Sequence, residues 1–138
     1  GHRIDGLGAI DVRTIGRPDR LIGNTIHEAA WLSGQGRDPV LVGFENHSGR
    51  TYLGSGVRPL AKVRKGGGNN GDDQTEGAIY KNVYCTYSHG SFLPKNPAMA
   101  DHLIETALKR RYPECKELSP LDDQLAENAR KYLVNCNC

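Results

Sequence analysis

The sequence predicts an α/β or α+β layer, with short strands in a mixed sheet and two terminal helices covering one of its faces. Apolar and β-branched residues alternate with polar ones in several short runs, and two later stretches carry apolar residues at three- and four-residue spacing. Glycines and prolines punctuate the runs. At 138 residues the chain is one ordinary domain, long enough to bury a core and too short for two.

Leu7, Ile10 and Val12, flanked by Gly6 and Gly8, predict a strand entered through a tight turn. The glycines lack the pattern and the following helix of a phosphate-binding loop. Pro18 forbids a helix through residues 17–23, while Leu21, Ile22, Thr25 and Ile26 permit a short strand. Pro39–Phe44 reads as a buried strand that delivers Glu45, Asn46 and His47 to a loop ending at Gly49, either a site or a hydrogen-bonded turn. Tyr52 to Val63 alternates again. It runs into Gly66–Asp73, which carries no apolar side chain and reads as a mobile surface loop.

Tyr80–Tyr87 reads as a strand that ends at His89, with Gly90 and Pro94 breaking it. A histidine at a strand end beside a glycine stands where α/β enzymes keep catalytic groups, and also where ordinary turn histidines stand. Asn96 as cap, Pro97 at the first position and Ala100, Leu103, Ile104, Ala107 and Leu108 as an apolar stripe predict a helix ended by Pro113. A second helix is expected from Ser119-Pro120, burying Leu121, Leu125, Ala129, Tyr132 and Leu133.

A net charge of +2 carries no message about partners, and the densest basic run, Lys109–Arg111, sits where a helix dipole favours cations, so nucleic-acid binding is not expected. No run approaches the roughly 18 apolar residues of a membrane span. Cys85, Cys115, Cys136 and Cys138 lack paired Cys-x-x-Cys hooks, so no metal site is expected and the thiols read as reduced, consistent with a cytoplasmic protein. A Cys115 disulfide to the tail stays open.

Four blocks combine into a resemblance: Val42-Gly-Phe-Glu-Asn-His-Ser-Gly-Arg-Thr-Tyr52, Gly68-Asn-Asn-Gly71, Glu76-Gly-Ala-Ile-Tyr-Lys-Asn-Val-Tyr-Cys-Thr-Tyr-Ser-His-Gly90 and Leu93-Pro-Lys-Asn-Pro97. In this order they resemble class I glutamine amidotransferases of the CobB/CobQ-like (GATase type 3) branch, a flavodoxin-like fold, and within it the GatD-like glutaminase subunits of lipid II isoglutaminyl synthase. The resemblance covers Gly6 to about Arg111. It implies hydrolysis of glutamine by a cysteine nucleophile, with the ammonia passed to a Mur-ligase-like synthetase subunit (MurT type) that amidates D-glutamate in the lipid II stem peptide during peptidoglycan synthesis. No cofactor is implied.

By residue-for-residue match the general base is His89, which would deprotonate the thiol and then a water. The family's cysteine elbow lies upstream of the Gly6-Leu-Gly8 block, and Cys85 replaces a family glycine. The whole chain, residues 1–138, is therefore expected to be the carboxyl part of an amidotransferase domain, inactive alone. Ser91 stands where triad members carry glutamate; the orienting acid is then Glu45 or a carboxylate of the partner. Arg20 matches an arginine that would reach the glutamine α-carboxylate or gate its access, the alternative being a surface arginine. Competing functions are a cobyrinic or cobyric acid amidase of cobalamin synthesis, which shares the histidine block, and a non-catalytic docking module.

Overall fold

The computed structural model describes residues 2–114 and 118–136. Strands β1 (Val12–Glu28), β2 (Val40–Leu53), β3 (Ala61–Lys65) and β4 (Thr75–Glu76) form one sheet in the order β2-β1-β3-β4. Every pairing in it is antiparallel, and β1 and β2 are 17 and 14 residues long. The expected mixed sheet of short strands is thus an antiparallel sheet built on two long ones. The link between β1 and β2 holds only the single-turn helix α1 (Ala30–Ser33), which allows antiparallel return, whereas a parallel crossover needs a dozen or more residues.

The first strand starts at Val12, leaving Leu7 fully exposed before it. It passes through Pro18 because the register jumps from Gly16 opposite Gly49 to Leu21 opposite His47. Residues 17–20 therefore bulge, and a proline inside a bulge owes no ladder hydrogen bond. Buried Arg50 pins the bulge, its Nη2 donating to the Asp19 carboxylate at 2.6 Å. Strand β2 does not stop at Phe44, as the sequence suggested; Glu45 and His47 are buried positions on it, not loop residues.

The Tyr80–Tyr87 run is not one strand but a tight hairpin of β5 (Ala78–Tyr80) and β6 (Val83–Cys85), turned at Lys81 with φ 54. Asn82 at the turn satisfies the same alternation as a strand would, which is why the two readings look alike in sequence.

The core joins Leu32 of α1, Leu41 of β2, Leu60, Ala61, Ile79 and Met99, with Trp31, Tyr84, Phe92 and Leu103 packed on it. Met99 and Leu103 belong to α3 (Pro97–Arg111), preceded by the short α2 (Phe92–Lys95). Ile104 of the expected stripe is 49% exposed and Ala107 is exposed too. Asn96 does not cap α3 with its side chain. Its amide instead spans the outer edge of β2, accepting from the Val42 N–H at 2.8 Å and donating to the Val42 carbonyl at 2.9 Å and the Phe92 carbonyl at 2.6 Å. The helix is thereby fixed to a strand edge, so a narrower apolar face suffices.

The last helix, α4 (Gln124–Asn135), starts later than Ser119-Pro120 predicted. Leu121, Leu125 and Tyr132 are 78%, 85% and 68% exposed, and Ala129 is exposed. Arg130 is its buried residue, paired with Asp38 and Glu127 and donating to the Val40 carbonyl at 3.1 Å. Docking by an arginine network, not by the apolar stripe, turns that stripe outward. Cys115 and Cys138 fall outside the described residues; Cys85 and Cys136 are free thiols. No helix among the described residues is long and apolar enough to cross a membrane.

His27 lies in β1 with 1% exposure and no hydrogen-bond partner for either ring nitrogen among the described residues, and burial lowers its pKa to about 4. The folded state therefore holds it neutral. That contribution is complete above the unfolded value of about 6.5 and is lost as pH falls towards 4, a loss on the order of 3 kcal/mol. Urea unfolding at pH 7 and pH 4.5 should show a larger drop for wild type than for His27→Leu. Equal drops would refute the assignment.

Candidate functional site

Beyond β6 the chain runs along the outer edge of β2, and the His89 N–H donates to the Phe44 carbonyl at 2.6 Å in an isolated antiparallel bridge. Directly opposed residues point to the same side of a sheet. His89 therefore shares a face with Phe44 and, through the β1–β2 register, with Asn24, Ile22 and Asn46. The imidazole is exposed, and Phe44 and Ile22, 37% and 60% exposed, give this face an apolar floor.

Two glycines make the placement possible. A β-carbon on Gly43 would lie 2.6 Å from that of Ser88, so glycine is what lets the His89 segment approach β2. Gly90 has φ +71, in the left-handed region, and turns the chain towards α2 immediately after the histidine. Ser91, at the position of the triad glutamate, is also left-handed with φ 59 and directly precedes α2.

The segment is held from beneath by Glu76, 1% exposed, whose Oε1 accepts from the Thr86 hydroxyl and from the Tyr87 N–H at 2.9 Å. The Ser88 N–H donates to Thr86 Oγ1 at 2.9 Å, and the Tyr87 ring stacks on His47 with centroids 3.8 Å apart. Burial pushes the Glu76 carboxyl pKa up, against the lowering pull of the Thr86 and Tyr87 hydrogen bonds. Sequence reading assigned Glu76 no role, and only its four-block context marked it.

Glu45 lies on the opposite face of β2 from Phe44, because adjacent strand residues alternate. It is 4% exposed, its Oε1 accepting from Gly67 N–H at 2.8 Å and its Oε2 from Gly68 N–H at 3.0 Å. This corrects the expectation of an unanchored Gly66–Asp73 loop. Asn69 and Asn70 are buried, Asn69 bonding Gly77 through both ends of its amide and Asn70 donating to the Thr51 carbonyl at 3.0 Å. Polar anchors replace the missing apolar ones.

Arg20 emerges from the bulge onto the His89 face. Its Nε donates to Asn46 Oδ1 at 2.8 Å and its Nη2 to the Asn46 carbonyl at 2.9 Å. The fold thus brings Arg20 and His89 to one face and sets Glu45 on the other. No group of three or more His, Cys, Asp or Glu able to hold a metal ion occurs among the described residues.

The CobB/CobQ-like glutamine amidotransferase domain matches residues 1–97. The chain belongs to this family. Among curated relatives, the protein named "lipid II isoglutaminyl synthase (glutamine-hydrolyzing) subunit GatD" from Streptococcus pneumoniae is 39% identical over 129 residues, 92% of this chain and 47% of its own. Its Staphylococcus aureus namesake is 41% identical over 137 residues, 98% of this chain and 52% of its own. A probable cobyric acid synthase from Methanosphaera stadtmanae is 37% identical over 94 residues, 64% of this chain and 18% of its own. The chain spans about half the length of the GatD relatives it matches. On this face the exposed strand-end imidazole of His89 is held in place through its backbone, with Gly43 allowing the approach and Glu76 anchoring the preceding segment.

Proposed function

We propose that this chain is the carboxyl part of a flavodoxin-like glutaminase domain of the GatD type, and that His89 is its general base. The observation carrying the reading is the His89 imidazole, exposed and held by its own backbone at a strand end, in a chain of this family. In the reaction His89 takes the proton of a cysteine thiol carried outside these residues. The thiolate attacks the side-chain amide carbon of glutamine, the returned proton leaves with ammonia, and a thioester forms. His89 next takes a proton from water, which attacks the thioester and releases glutamate and the thiol.

The ammonia goes to a Mur-ligase-like synthetase subunit (MurT type) that amidates D-glutamate of the lipid II stem peptide. Two relatives bearing that function in their names match nearly the whole chain, whereas the cobyric acid synthase above matches 64% of it, which favours this reading over cobalamin synthesis. Arg20, tied to Asn46, borders the site and gates glutamine's access. The test is ammonia release from glutamine by the longer protein carrying this chain, assayed alone and with the synthetase; no release in either state would overturn the proposal.

The acid that orients His89 comes from the partner. Glu45 faces the other side of β2 with both oxygens committed to backbone amides. Glu45→Gln is accordingly expected to leave turnover of the complex within about threefold, while faster amide exchange at Gly67 and Gly68 reports the loosened loop, since a carboxamide offers only one acceptor oxygen. Turnover falling at least tenfold, with and without the synthetase, would return the role to Glu45.

A further inference from the structure

Three successive backbone N–H groups lead into the imidazole, and each has a partner. Tyr87 N–H donates to Glu76 Oε1 at 2.9 Å, Ser88 N–H to Thr86 Oγ1 at 2.9 Å, and His89 N–H to the Phe44 carbonyl at 2.6 Å. The first two converge, because the Thr86 hydroxyl that accepts from Ser88 itself donates to Glu76 Oε1. Glu76 lies in β4, paired with Ala61 of β3, and Phe44 lies in β2. In the order β2-β1-β3-β4 these are the two outer strands, so the segment that ends in His89 is tied to both edges of the sheet.

A need for packing alone is met by hydrocarbon. Glu76 is 1% exposed, and burying a carboxyl there carries a desolvation cost that an aliphatic side chain of similar volume avoids. What the carboxyl adds is direction, since Oε1 fixes the Thr86 hydroxyl and the Tyr87 peptide together. The bridge to Phe44 is isolated, so it fixes one point and leaves open how the chain approaches it. Ser88 adds no further hold, because its hydroxyl has no hydrogen-bond partner among the described residues. The Tyr87 ring stacks on His47 and its hydroxyl lies 2.7 Å from Thr51 Oγ1, contacts that hold the ring and leave the peptide to Glu76 and Thr86.

We infer that Glu76 and Thr86 are a positioning pair for His89: through the Thr86 hydroxyl and the peptides of Tyr87 and Ser88 they set where the imidazole stands relative to the atom whose proton it moves. The inference rests on the glutaminase reading above and adds to it two residues that act through the histidine. A general base must stand within hydrogen-bond reach of the proton it takes, and a misplacement of about 1 Å can cost about 10²-fold in rate. Loss of the pair therefore falls on the chemical step and leaves glutamine binding largely intact.

The test uses the longer protein carrying this chain, with the synthetase present, as wild type, Thr86→Val and Thr86→Ser. Thr86 is exposed, so neither change threatens the core; valine removes the hydroxyl that joins Glu76 to Ser88, and serine keeps it. We expect Thr86→Val to lower kcat for ammonia release about tenfold or more with KM for glutamine within about threefold, and Thr86→Ser to stay within about threefold of wild type in both. Where melting temperatures show it folded, Glu76→Met should lower kcat at least as far, and adding Thr86→Val to it should lower kcat no further, as for groups of one network. If Glu76→Met does not fold, the Thr86 variants decide. An unchanged kcat in Thr86→Val, an equal fall in Thr86→Ser, or a loss confined to KM would overturn the inference. Amide hydrogen exchange at His89 gives a readout that needs no catalysis. Exchange about tenfold faster in Thr86→Val and near wild type in Thr86→Ser supports the pair even if wild type releases no ammonia, a result that sinks the glutaminase reading alone. Unchanged exchange at His89 defeats the pair even if ammonia is released.

Discussion

Replacing His89 by alanine in the longer enzyme should reduce ammonia release from glutamine by about 10²–10⁴-fold, the usual range for loss of a general base. A cysteine thiol with a pKa near 8.5 is mostly protonated at neutral pH, so the nucleophile needs a base, the role proposed for His89. The loss should fall on turnover and not on folding. His89 is exposed and is held by its backbone N–H to the Phe44 carbonyl, a bond that alanine keeps. Single-turnover kinetics with an unchanged melting temperature would complete the result. A variant keeping more than about a tenth of wild-type turnover would remove His89 from the mechanism.

The largest stability effect is expected at Asn96. Its buried amide satisfies the N–H and the carbonyl of Val42 and the carbonyl of Phe92, three backbone groups at the junction of β2, α2 and α3. Asn96→Ala strands these groups where Val42 is 1% exposed, at a cost on the order of 3 kcal/mol and a fall in melting temperature of roughly 10 °C. Asn96→Asp should be no better, since it presents carboxylate oxygens to two carbonyls and has lost its donors. A melting temperature within about 2 °C of wild type would show that water replaces the amide and that Asn96 is no staple.

The family was legible before the fold. His89 stood out as a histidine at the end of an alternating run, beside a glycine and a proline. The four blocks around it carried the family, which the match over residues 1–97 supports independently. Elements were less legible where one pattern serves two structures. The alternation through Tyr80–Tyr87 suits a strand and a tight hairpin equally, and only the left-handed Lys81 separates them. The α4 stripe suits burial, yet the Arg130 network with Asp38 and Val40, some ninety residues away in sequence, decides which side faces inward.

The sequence by itself determined the family and the two long terminal helices, because periodicity, glycines and motif order are local properties written residue by residue. Only the tertiary structure decided which face of β2 each residue occupies. That single parity places Glu45 under the Gly66–Asp73 loop and turns Phe44 and Asn46 to the His89 side. Register between strands depends on contacts between distant residues, and a shift of one position would exchange the two faces.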